Sequence, residues 1–145
     1  MSFQFSLGSV LRIRGILEEQ EERMLQKIQF EIAQTMEAIE RTNAELAGTN
    51  ASRSAEVFKS SIGLNVHASY ERVMGLKQYR KELEAKLEKL EELRDRQLVV
   101  YQGARRNREM LTDMCAEKRL AYDSDAARRE QRTLDDNHMA RRERG

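Results

Sequence analysis

Apolar residues recur in steps of three and four over most of this chain. Leu25, Ile28, Ile32, Thr35, Ile39, Thr42 and Leu46 step by 3, 4, 3, 4, 3, 4, so the same helical face returns every two turns. Upstream, Val10, Ile13, Leu17 and Met24 are read as continuing that face, with Gln20 filling one slot. The spacing 24, 28, 32 then inserts a four-residue step that should relax the supercoil locally. A second run is longer: Val73, Leu76, Arg80, Leu83, Leu87, Leu90, Arg94, Gln97, Tyr101, Ala104, Arg108, Leu111, Cys115, Lys118 and Tyr122. Gly75 and Gly103 interrupt it at a cost of about 1 kcal/mol each relative to alanine. Neither is joined by a second breaker, so one helix is expected from about 66 to beyond 120.

Between the runs, Gly63-Leu64-Asn65 is the best turn signal, with Gly63 able to end one helix and Asn65 to cap the next. The small and polar residues 48–60 lack proline and read as a solvent-exposed helical extension. These signals predict an all-α fold, a single elongated domain built as an antiparallel two-helix coiled-coil hairpin. Its expected elements are helix 1 at about 9–60, a turn at about 61–65 and helix 2 at about 66–140. Residues equidistant from the turn should meet: Leu46 near Arg80, Ile28 near Leu98, Val10 near Ala116. Helix 2 then extends beyond helix 1, and residues 123–145 have no partner there. A solitary helix is marginal in water, so this tail is expected to fray unless something grips it.

The first residues follow a different rule. Phe3, Phe5 and Leu7 alternate with polar residues, a strand-like period of two, although no second strand is foreseen. They are expected either to staple the start of helix 1 onto helix 2 near Ala116 to Tyr122 or to face a partner.

Composition narrows the function classes. Proline is absent and 35% of residues are charged, while aromatics are 6%, which suits long helices and not a compact core. The 26 basic and 25 acidic residues nearly cancel, against the basic excess of a nucleic-acid binder. The longest apolar run, Leu98-Val99-Val100-Tyr101, is far too short for a transmembrane segment. Arg12 and Arg14 interrupt the apolar start, which disfavours a secretory signal. A single cysteine, Cys115, fits a reducing, cytoplasmic setting.

Candidate chemistry is sparse. His67 and His138 stand far apart with no cluster of metal-ligating residues, and no phosphate-binding glycine motif occurs. No catalytic, cofactor or metal role is assigned, and the protein is not expected to be an enzyme. The run Glu18, Glu19, Glu21, Glu22 reads as a solvated helix start favoured by the macrodipole, with a specific contact role as the alternative, and Arg105, Arg106 and Arg108 read as a solvated face. Tyr70, Val73, Met74, Leu76 and Tyr79 exceed what one seam requires. They form either a wide core stripe or a helix face for a partner.

The opening FQFSLGSVLRIRGILEEQEE resembles the start of the FliJ family, F-x-F-x-L-x-x-V-L-x-x-R followed by a Glu-rich helix. Its residues here are Phe3, Phe5, Leu7, Val10, Leu11 and Arg14. The Gly63-Leu64 turn, Tyr70 and the late stretch Arg128, Arg129, Glu130, Gln131, Leu134, Asp135, Asp136 are similar in place. The resemblance implies a stalk of the flagellar type III export apparatus. Such a stalk binds and stimulates a hexameric export ATPase without hydrolysing ATP, and contacts the cytoplasmic domain of the export gate and export chaperones. It implies a free monomer, cytoplasmic and peripherally associated with the inner membrane at the flagellar base. The opening positions become candidates for the ATPase end, and Tyr70, Val73 and Met74 for gate contact. Alternatives are a generic dimeric coiled-coil scaffold, the equivalent stalk of a virulence secretion system and, more remotely, a nucleic-acid module.

Overall fold

A computed structural model describes residues 2–58 and 63–145, with side chains described outside 53–58 and 63–66. The fold is all-α: two long helices packed against each other, with no strand among the described residues. Helix α1 spans Gly8–Phe58 and α2 spans Gly63–Arg144. Neither Gly75 nor Gly103 breaks α2, as expected from their isolation. The expected turn at 61–65 falls partly on 61 and 62, outside the described residues; Gly63, Leu64 and Asn65 are instead the first residues of α2.

The chain folds into two compact units, Met1–Glu21 with Tyr101–Gly145, and Glu22–Val100. Among the described residues, every buried one lies in the second unit. Leu25, Ile28, Ile32, Leu46, Val73 and Leu90 form its apolar seam, joined by Thr35 and Thr42. Ile28, Ile32 and Leu90 pack as one cluster with Leu87 against it. The two threonines keep their hydroxyls satisfied within α1: Thr35 Oγ1 donates to the Glu31 carbonyl and Thr42 Oγ1 to that of Ala38, each at 2.8 Å. Arg80, at a seam position, reaches across and donates to Asn43 Oδ1 at 3.2 Å. Asn43 lies within one turn of Leu46, the expected neighbour of Arg80. Leu98, the expected neighbour of Ile28, is 38% exposed, and Leu90 takes its place in the Ile28 cluster.

In the first unit the seam is thinner and the sequence reading needs correction. Val10, Ile13, Leu17 and Met24 do not continue the core face; they are 38%, 55%, 39% and 53% exposed. The half-buried residues on α1 are Leu11, Gly15, Glu18 and Glu21. Counting back from Leu25, these residues step by four, three, three and four, which keeps the packed face on positions that hydrophobicity alone passes over. On α2 the pattern reads as expected, with Tyr101, Ala104, Arg108, Leu111, Cys115 and Tyr122 half-buried; only Lys118 is exposed.

Beyond Tyr122 every residue of α2 is exposed, and the helix continues to Arg144. Gln131 donates to Asp135 at 3.1 Å, one turn on, and Thr133 Oγ1 donates to the Arg129 carbonyl at 2.9 Å. Arg141, Arg142 and Arg144 occupy the last turn, where positive charge opposes the helix dipole.

Candidate partner-binding surfaces

The first six described residues form a strap. Ser2 to Phe5 are irregular backbone, and a turn through Ser6 and Leu7 enters α1. The Gly8 N–H donates to the Phe5 carbonyl at 3.0 Å and the Leu11 N–H to that of Leu7 at 2.9 Å, which fixes the angle of entry. The period-two pattern now has a physical meaning. Phe3, Phe5 and Leu7 are half-buried while Ser2, Gln4 and Ser6 are exposed. One edge of an extended strap therefore lies on α2.

Named contacts define that docking. The rings of Phe3 and Tyr122 have centroids 5.6 Å apart and are inclined by 52°, within the range of tilted aromatic pairs. Arg119 lies over the Phe3 ring at 6.0 Å, and the Lys118 ammonium stands 5.6 Å from the centre of Phe5. Both are cation–π distances. Phe3 and Phe5 thus contact α2 at 118–122, as the first of the two expectations has it. Leu11 is likewise half-buried, whereas Val10 and Arg14 are exposed.

Glu18 and Arg108 close the same unit. Arg108 Nε donates to Glu18 Oε2 at 2.5 Å and its NH2 group to Oε1 at 3.1 Å, a two-pronged pairing. The side chains keep only 14% and 31% of their exposure, respectively. Hydrogen bonding from Arg108 holds the Glu18 carboxyl below its ordinary range, and the same bond raises Arg108 further. Glu18 is therefore not a solvated residue at a helix start. Because α1 begins at Gly8, the acidic run lies in its third and fourth turns. Arg108 is likewise engaged, while Arg105 bonds Glu109 along its own helix at 2.9 Å.

In the second unit the five apolar residues near 70–79 divide. Val73 is core, 4% exposed, and Leu76 is half-buried, so Val73 presents no surface to a partner. Tyr70 and Met74 are each 49% exposed and one helical turn apart, which places them on one edge. Tyr79 is equally exposed, but nine residues at about 100° each set it half a turn from Tyr70. An open polar groove runs beside Glu45, Thr49, Ser52, Ser69 and Arg72. His67 pairs with Glu71 at 3.2 Å on the surface. Among the described residues no cluster of side chains could hold a metal ion, and no helix is long and apolar enough to cross a membrane.

The surface that sequence reasoning missed is the outer side of α1 in the first unit, where Val10, Ile13, Ile16 and Leu17 stand 38–55% exposed. Its signal was present: carrying the heptad back from Leu25 leaves these four residues outside the seam. No family model, curated protein or solved structure matches the chain.

Proposed function

We propose that this protein is a coiled-coil stalk of a flagellar type III export apparatus, which binds a hexameric export ATPase and raises its hydrolysis rate without hydrolysing ATP itself. The observation that carries the reading is the opening stretch, whose FliJ-like residues Phe3 and Phe5 lie against α2, with Leu7 and Leu11 half-buried and Val10 and Arg14 exposed. The continuation of α2 from Asp123 adds solvent-exposed helix surface. In this reading Val10, Arg14 and the exposed end of α2 meet the ATPase, while Phe3, Phe5, Leu7 and Leu11 hold the strap that presents them. Tyr70 and Met74 contact the cytoplasmic domain of the export gate, with Val73 supporting them from the core. Export chaperones are further partners. The site of action is the cytoplasmic face of the inner membrane at the flagellar base, with the free protein a monomer.

Adding the chain to purified flagellar export ATPase tests this directly. Hydrolysis should rise, and Val10→Asp with Arg14→Glu should remove most of the increase while helicity by circular dichroism is kept. Absence of both binding and stimulation would refute the assignment. The corresponding ATPase of a virulence secretion system, assayed in parallel, distinguishes the two kinds of apparatus.

A further inference from the structure

The outward side of α1 in the first unit is a second apolar face. Val10, Ile13 and Leu17 follow steps of three and four, Ile16 lies beside them, and all four are exposed. Their charged flanks are ordered. At about 100° per residue, Arg14 and Glu21 border one edge of the face, and Arg12 and Glu19 border the other. Each edge thus carries an arginine at its N-terminal end and a glutamate seven residues later.

We propose that this face pairs with the same face of a second copy, antiparallel, about a two-fold axis passing between Ile16 and Leu17. The charge order selects the occupant and its direction. In an antiparallel pair like edges meet, so Arg14 faces Glu21 of the other copy and Arg12 faces its Glu19. The first pairing centres between Leu17 and Glu18 and the second between Gly15 and Ile16, one residue to either side of the axis, which leaves each an axial offset of about 3 Å that the long arginine side chains span. A parallel, in-register pair joins opposite edges, setting Arg14 beside Arg12 and Glu21 beside Glu19, arginine on arginine and glutamate on glutamate. The same geometry brings Ile13 to Gln20 and Leu17 to Ile16 across the axis. The interface is isologous, as two-fold contacts must be. Glu19 and Glu21 already have interactions within their own copy. The pairing does not need them free, since a carboxylate has several acceptor sites. Four apolar residues make a small contact, well under the ~1,200 Å² of a stable interface, so association is weak and reversible. It does not depend on the export reading: the chain is a monomer when dilute and pairs only at high concentration, where a dimer and an ATPase would compete for Val10.

Sedimentation equilibrium of the full chain should show reversible dimers at high micromolar concentration. Arg12→Glu with Arg14→Glu gives an all-acidic flank, and Glu19→Arg with Glu21→Arg an all-basic one. Each variant alone should dimerise at least tenfold more weakly, and an equimolar mixture should recover the dimer. In a Cys115→Ser background, Ile13→Cys and Gln20→Cys chains should crosslink to each other faster than either does to itself. A chain that stays monomeric throughout, a mixture that fails to dimerise, or preferential Ile13→Cys self-crosslinking overturns the proposal. Circular dichroism of every variant confirms that its helices are retained.

Discussion

Glu18 occupies a seam position where most coiled coils place an aliphatic residue, and Arg108 meets it from α2. A charged pair at such a position depends on its partner, because removing one member leaves the other half-buried without compensation. Its pH dependence follows from the direction of the shift. The folded-state pKa of Glu18 lies below its ordinary value of 4.5, so its contribution is complete above that value. It is lost as pH falls through the lower, folded-state pKa. Arg108 stays charged throughout, so the alkaline side adds nothing. Glu18→Gln should therefore be less stable than the native chain at neutral pH, and the two should converge in acid, read by urea unfolding across an acid series. The buried threonines call for the opposite test. Thr35 and Thr42 are 3% and 4% exposed, and their hydroxyls bond only carbonyls of their own helix. Valine keeps the shape and drops the buried hydroxyl, so Thr35→Val and Thr42→Val should each raise stability by roughly 0.5–1 kcal/mol in urea unfolding.

At the scale of elements, α2 was legible in the sequence and the beginning of α1 was not. Fourteen of the fifteen seam positions read from the 3–4 pattern of α2 are buried or half-buried, because spacing alone, including Arg80, Arg94 and Arg108, was followed. In α1 the reading followed hydrophobicity and chose Val10, Ile13 and Leu17 over Leu11, Glu18 and Glu21. Two faces of that helix carry apolar residues, and the truly packed one contains a charge whose partner lies 90 residues away. No local signal reveals such a pairing. The strap had the reverse history: its alternation was correctly seen, but a period of two does not say which surface its inner edge meets. Phe3→Ala with Phe5→Ala should speed amide exchange around 115–122 without altering the cluster of Ile28, Ile32 and Leu90. The glycines give a stabilising test. A methyl group at Gly75 or Gly103 meets nothing within 4 Å. Gly75→Ala and Gly103→Ala should each gain about 1 kcal/mol by thermal unfolding.

For the whole molecule, burial is uneven. Every buried side chain among the described residues belongs to Glu22–Val100, whereas Met1–Glu21 with Tyr101–Gly145 is held by half-buried contacts, the strap and one ion pair. Protection against hydrogen exchange should accordingly be highest at 25–46 and 73–90 and lowest past Tyr122. Leu90→Ala should cost about 2–3 kcal/mol, since it removes a buried side chain from the cluster with Ile28 and Ile32. Architecture could be read from the chain because periodicity encodes it over many turns. Partner surfaces could not be ranked in the same way, since exposure depends on which of two apolar faces the partner helix covers.

A seam that repeats every seven residues leaves its helices free to slip by one heptad and repack almost as well. The Glu18–Arg108 pair makes that slip conspicuous. A shift of seven residues at 1.5 Å each carries the carboxylate about 10 Å from the guanidinium. Glu18 then faces Tyr101 or Cys115, neither able to neutralise it, and the half-buried charges stand apart. The pair therefore behaves as a ratchet tooth, one notch that admits a single alignment of α1 and α2 in that unit. A slip of α1 along α2 in that unit has to break this pair, at the residue that looked like part of an ordinary acidic run.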